Sequence, residues 1–113
     1  MVSIFIPACN SSIDFSVGKN KHDNIDIIRQ ASPNDIWFHL EEDSSCHVIA
    51  HLPPSLNKKQ KHKIITQGAV LCKSHSRTKS NTNTPICYSE VKNVTPTDII
   101  GTVQVTNKKI III

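Results

Sequence analysis

The sequence predicts an α+β fold, one mixed, largely antiparallel sheet packed against two helices, in a single domain spanning residues 1–113. Three observations carry that expectation. Short runs rich in Ile, Val and Phe, bounded by turn formers, recur along the chain and read as strands. Two other stretches repeat their apolar residues at helical spacing. A chain of 113 residues is long enough for one hydrophobic core and too short for two.

Residues 3–6 and 13–17 flank the turn-forming cluster Asn10-Ser11-Ser12 and predict a hairpin. Beyond Gly18 the pattern becomes helical: Asn20 or Asp23 can cap, Ile25, Ile28 and Ala31 share a face, and Pro33 stops the helix. Its acidic start suits the positive end of the helix dipole. Asp35–Leu40 and His47–Leu52 follow as strands, joined by the polar connector Glu41-Glu42-Asp43-Ser44-Ser45. Alternation sets Ile36, Phe38 and Leu40 against Asp35, Trp37 and His39 in the first strand. In the second it sets His47, Ile49 and His51 against Val48, Ala50 and Leu52.

Pro53-Pro54 ends that strand, Ser55 or Asn57 can cap, and a second helix runs to about Ser76. At ~100° per residue, Ile64, Ile65, Gly68, Leu71 and Cys72 cover one side while Lys59, Lys63, Lys73 and Arg77 gather on the other. Ser74–Thr84, rich in Ser, Thr and Asn, reads as a loop. Pro85–Val91 is then a strand, Asn93–Asp98 a turn region, Thr102–Val105 a strand, Thr106-Asn107 a turn and Lys108–Ile113 the closing strand.

Hydrophobic residues make up 38% of the chain and aromatic residues only 4%, which predicts a modest core dominated by isoleucine. Cys9, Cys46, Cys72 and Cys87 are far apart, form no C-x-x-C pair and follow no leader-like pattern, so a reducing, cytoplasmic setting is expected. Ile110–Ile113 is far short of the ~20 apolar residues of a membrane span, and no membrane partner is expected. Nothing in the sequence sets an oligomeric state.

Charge is distributed unevenly. Residues 1–50 hold three basic against seven acidic side chains, a net of −4, and the remainder ten against two, a net of +8. Asn57–Lys79 contains Lys58, Lys59, Lys61, Lys63, Lys73, Arg77 and Lys79 without one acid. Such a segment is either a solvated helix face or a surface for a polyanion, bound with salt sensitivity and little regard for sequence. The excess of lysine over arginine favours phosphate contacts over bidentate base reading.

A second cluster joins Asp35, Trp37 and His39 to His47 and His51 if their strands pair antiparallel. It could form an acid–base centre with Asp35 orienting His39 or His47, a metal site, or a stacking surface for a nucleotide. The plainer alternative is a Trp37 indole filling the core under a helix, with histidines tying backbone together. His47 and His51 lie on a strand, where H-x-x-x-H lacks the convergence it has on a helix, so no metal site is expected. No phosphate-loop, dinucleotide or nucleophile-elbow motif is present, and neither a cofactor nor a catalytic residue is expected. Gly18-Lys19-Asn20, between a strand and a helix, could offer backbone amides to a phosphate or simply form a tight turn that needs glycine.

Taken in order, Val17-Gly18-Lys19-Asn20, Asp35-Ile36-Trp37-Phe38-His39, Ser45-Cys46-His47-Val48, Tyr88–Val91, Gly101-Thr102-Val103 and Lys109-Ile110 resemble the NFACT-R domain family. The spacing of D-I-W-F-H and the later His-Val pair is the most specific part. NFACT-R modules occur in ribosome quality-control factors and in a eukaryotic coiled-coil-bearing DNA sensor; the Ser44-Ser45-Cys46-His47 turn is closer to the eukaryotic, stand-alone type. The resemblance implies nucleic-acid contact, RNA (tRNA or ribosomal RNA) ahead of DNA, with the ribosome as a possible partner. It assigns Gly18, Asn20, Asp35, Trp37, His39 and His47 to the family motif, and Lys19 joins Lys59, Lys63, Lys73 and Arg77 as expected phosphate contacts. The basic cluster that the family often carries after its Tyr strand is not expected, because Asn93–Ile100 has no Lys or Arg. A protein-docking module acting through the acidic N-terminal half and an RNA-processing enzyme using His39 and His47 are the rival readings.

Overall fold

The computed structural model describes residues 1–113. In chain order the elements are β1 (Val2–Ile6), β2 (Ser11–Val17), α1 (Lys21–Gln30), β3 (Ile36–Leu40), β4 (Val48–Ala50), α2 (Lys58–Ser74), β5 (Pro85–Glu90), β6 (Val94–Pro96), β7 (Val103–Val105) and β8 (Lys109–Ile112). Six strands form one sheet in the order β1-β2-β4-β3-β5-β8, and β6 and β7 form a separate ribbon. The α+β class is as the sequence predicts. Two details differ: every pairing is antiparallel, so the sheet is not mixed, and the strands divide between two sheets.

Local chemistry explains the boundaries. β1 and β2 are joined by a tight turn at Pro7–Cys9 and by Asn10 in the left-handed region (φ 49°), so the turn lies earlier than Asn10-Ser11-Ser12 suggests, and Ser11 and Ser12 belong to β2. Asn20 caps α1 by accepting the Asp23 amide at 2.9 Å. Asn57 and Gln60 exchange side-chain and backbone hydrogen bonds at the start of α2, a reciprocal capping box. The predicted turn at Asn93–Asp98 instead contains β6. The closing strands do not form a hairpin across Thr106-Asn107: β7 returns to β6, while β8 completes the edge of the large sheet against β5.

The alternation of β3 separates two cores. Ile36, Phe38 and Leu40 join Phe15, Val48 and Ile86 beneath Ile64, Ile65, Ala69 and Cys72 of α2. On the other face Trp37, Ile49 and Cys87 pack against Ile25, Ile27 and Ile28 of α1 and against Val94, with Val103 and Val105 of the ribbon alongside. The molecule is thus a three-layer stack, α2, sheet, then α1 with the ribbon. All four cysteines are free thiols. No helix is long and apolar enough to cross a membrane.

Gly68 sets how closely α2 approaches the sheet. A Cβ there would lie 2.3 Å from the Phe38 ring, and Phe38 is wholly buried with nowhere to retreat. Gly68→Ala therefore sets the helix preference of alanine, up to about 1 kcal/mol, against overpacking of about 1–3 kcal/mol. The expected outcome is a net loss of stability in urea denaturation; an equally stable or more stable variant would show that the close approach is not a constraint.

Candidate nucleic-acid interface

Asp35 sits at the start of β3, buried, and its carboxylate is fully engaged. Oδ2 accepts the Ser32 amide at 3.0 Å, Oδ1 accepts the Leu52 amide at 3.0 Å, and the His51 Nδ1 lies 3.0 Å from Oδ2. The Ile36↔Ala50 register places Asp35 opposite His51, so its partner is His51 and not His39 or His47. On its far side, His51 Nε2 is 2.7 Å from Ser16 Oγ. A hydroxyl, an imidazole and a carboxylate in sequence resemble a hydrolase relay, but Ser16 lies within β2 opposite Ile49, and neither Ser16 nor His51 lines any of the five main surface grooves. The chain of bonds ties β2, β3 and the end of β4 together.

Trp37, His39 and His47 do converge. The Trp37 indole N–H donates to His47 Nδ1 at 3.1 Å, the Trp37 and His39 rings stack with planes 8° apart, and the His39 and His47 rings meet edge to face at 5.0 Å. His39 Nδ1 is 2.6 Å from the Leu40 carbonyl oxygen. Trp37 is therefore both a core residue under α1 and the floor of a groove of about 560 Å³ that His39 and His47 line with Lys21, Lys108 and the ribbon. Burial holds the His47 imidazole down at about 4, with repulsion from His39 adding to it. Burial lowers His39 too, against its Leu40 hydrogen bond and the Glu41 carboxylate.

The Gly18 loop is committed internally. The Gly18 amide donates to the His47 carbonyl oxygen at 2.9 Å and the Lys19 amide to the Asp23 carboxylate at 2.9 Å, so neither amide is free to cradle a phosphate. Gly18 is not in the left-handed region; glycine is needed because a Cβ would lie 1.8 Å from Asn24 Oδ1, the atom that accepts the His47 amide at 3.1 Å. Gly18, Asn20 and Asn24 thus position His47. The Lys19 side chain is exposed at the rim of a neighbouring groove with Lys21 and His75.

The expected basic face divides. Lys59 and Lys63 are exposed on α2, Lys73 donates to the Ile113 carbonyl oxygen at 3.0 Å, and Arg77 lies beyond the end of α2, paired with Asp43 at 2.5 Å. A cluster not anticipated from sequence lies on the other edge of α2. Lys58, Lys61 and His62 face Tyr88, Lys92 and Lys109 across a groove of about 730 Å³. The Tyr88↔Lys109 register brings in Lys109, and Lys92 follows β5 directly. The basic patch that the segment after Tyr88 lacks in sequence is assembled here from three elements. The i, i+3 pair Lys58 and Lys61 was the visible signal, since helical geometry puts both on one edge; Lys92 and Lys109 are isolated in sequence. No three His, Cys, Asp or Glu side chains gather in a way that could hold a metal ion.

The buried imidazoles make stability depend on pH. Unfolded His47 takes up its proton near 6.5, whereas the folded chain refuses it until about 4. The unfolded state then binds more protons between those values, so stability is complete above about 6.5 and falls as pH drops toward about 4, by roughly 3 kcal/mol for His47. His47→Gln keeps an acceptor for Trp37 and removes this titration. Urea denaturation across that window should show a shallower decline for the variant than for the natural chain; parallel curves would contradict it.

Residues 1–107 match the family described as the NFACT protein RNA binding domain. The chain is similar to coiled-coil domain-containing protein 25 of Danio rerio (46% identity over 37 residues), Bos taurus (42% over 43) and Mus musculus (39% over 54). Those alignments cover 33%, 38% and 46% of this chain and only 18%, 21% and 26% of the relatives. The structure of the C-terminal part of the fibronectin/fibrinogen-binding protein from Streptococcus suis shares the fold, with a TM-score of 0.76 at 20% identity over 88% of this chain and 39% of that one. With the family matched over nearly its whole length and D-I-W-F-H at the centre of its sheet, this chain belongs to the NFACT-R family of nucleic-acid-binding modules.

Proposed function

We propose that this domain binds RNA in preference to DNA, holding phosphates through lysines of α2 with little regard for base sequence. The observation that carries the reading is the lysine-rich surface on both edges of α2: Lys58, Lys59, Lys61, Lys63 and Lys109 have no acidic partner, and Lys92 alone is paired, with Glu90 at 3.4 Å. Lysine amines act as point charges for phosphate. Lys19, Lys73 and Arg77 flank this surface; the Arg77 pair with Asp43 is exposed and exchanges readily for phosphate. The family description supports RNA. A tRNA or ribosomal RNA is the proposed ligand, the ribosome the proposed setting and the cytoplasm the proposed location.

A docking role is the second reading. It draws on the two open edges of the sheet, where Phe5 of β1 and Ile110 and Ile112 of β8 are exposed. Pull-down of a protein partner that survives nuclease treatment would favour it.

The salt dependence of affinity tests the first reading. Each phosphate neutralised on a single strand contributes about 0.7 to the slope of log affinity against log salt. Replacing Lys58, Lys59, Lys61 and Lys63 together by Gln should flatten the slope for single-stranded RNA by about 3. An unchanged slope, or no binding by the natural chain at low salt, would contradict it.

A further inference from the structure

We propose that the groove lined by His39 and His47 receives the edge of an unpaired nucleobase, reading it as a hydrogen-bond donor and acceptor side by side. This rests on the nucleic-acid reading above and goes beyond phosphate contact.

The tautomers follow from the neighbours. An indole N–H can only donate, so His47 Nδ1 accepts from Trp37 and the ring proton of His47 sits on Nε2. A carbonyl oxygen can only accept, so His39 Nδ1 carries its proton toward Leu40 and its Nε2 is left as an acceptor. Neither Nε2 atom has a partner within the chain and neither is sealed off, so both reach the groove, His39 as a half-buried ring and His47, 2% exposed, only at the bottom of it. The walls therefore present one donor and one acceptor, and burial favours the uncharged form of both imidazoles.

The Watson–Crick edge of every base carries adjacent donor and acceptor groups, and RNA-binding domains commonly read unstacked bases on such edges. A volume of about 560 Å³ is ample for one base, and Val103 and Val105 of the ribbon give an apolar wall. Lys21 lines the same groove and suits a flanking phosphate, while Lys108, also on its rim, is paired with Glu41 at 2.8 Å and exchanges that partner for a phosphate. The β7–β8 connector links this groove to the lysine groove: Lys108 lines one and Lys109 the other, so one strand passing over the β8 edge reaches both. The pair discriminates paired from unpaired bases, because a duplex has already used those edges.

Two probes separate the base from the backbone: a short oligouridylate, and an abasic sugar–phosphate strand of equal length. Trp37 is the only tryptophan, so its fluorescence reports on this site alone. Oligouridylate should change Trp37 emission and shift the His39 and His47 Nε2 resonances, while the abasic strand binds without doing either. His39→Phe, which keeps a ring against Trp37 and removes the acceptor, should weaken oligouridylate about tenfold, the lower end of a bidentate base contact, and leave the abasic strand unaffected. Oligouridylate bound at saturation with both histidines unmoved, or the two strands behaving alike, would overturn the base pocket and leave the phosphate reading standing. Failure of either strand to bind would overturn both. If His39→Phe does not fold, the resonances of the natural chain still decide.

Discussion

The buried carboxylate of Asp35 is the fixed point of this fold. A desolvated charge is costly unless fully bonded, and Asp35 is bonded to the turn after α1, to the chain leaving β4 and to His51. Its backbone carbonyl also receives the Val91 amide at 2.8 Å, which extends the pairing of β3 with β5. These bonds pin β3 in register with both neighbours. In a strand a slip of one residue would exchange the two faces. Phe38 would then leave Gly68, and Trp37 would leave His47.

From that register the two sides of the sheet acquire different chemistry. The α2 side is closed by tight packing over Phe38, which leaves the lysines of the helix facing solvent and the edge of β5 and β8. On the α1 side the short helix and the ribbon cover Trp37 and leave a groove lined by His39 and His47. Four pieces of the family pattern, Gly18, Asn20, Asp35 and Trp37, serve this architecture by placing His39 and His47. The lysines do not depend on them. Scaffold and charge are separable here, as the proposed grip on phosphates without reading of sequence requires.

Much of this was legible in the sequence where the information is local. Alternation in Ile36–Leu40 set the two faces, Asn20 and Asn57 marked the helix starts, and the isoleucine side of α2 was visible from its spacing. What was missed depends on pairing across long separations. β6 and β7 have three residues each, too few for a periodic signal, and their ribbon explains why Ile27 is buried although it lies off the expected face of α1. β8 pairs with β5 and not with its sequence neighbour, so the joining of Lys109 to Lys58 and Lys61 could not be read from charge runs. The Asp35–His51 pair was hidden likewise: both residues were noted, but only the register shows which histidine the carboxylate meets.

The central claim, that RNA lies along α2 and the groove beside it, is tested most directly by lysine acetylation footprinting with and without bound RNA, read residue by residue. The account predicts protection of Lys58, Lys59, Lys61, Lys63 and Lys109, with Lys79 in the distal loop remaining reactive. Protection absent from α2, or no difference between free and RNA-bound protein at saturation, would contradict it.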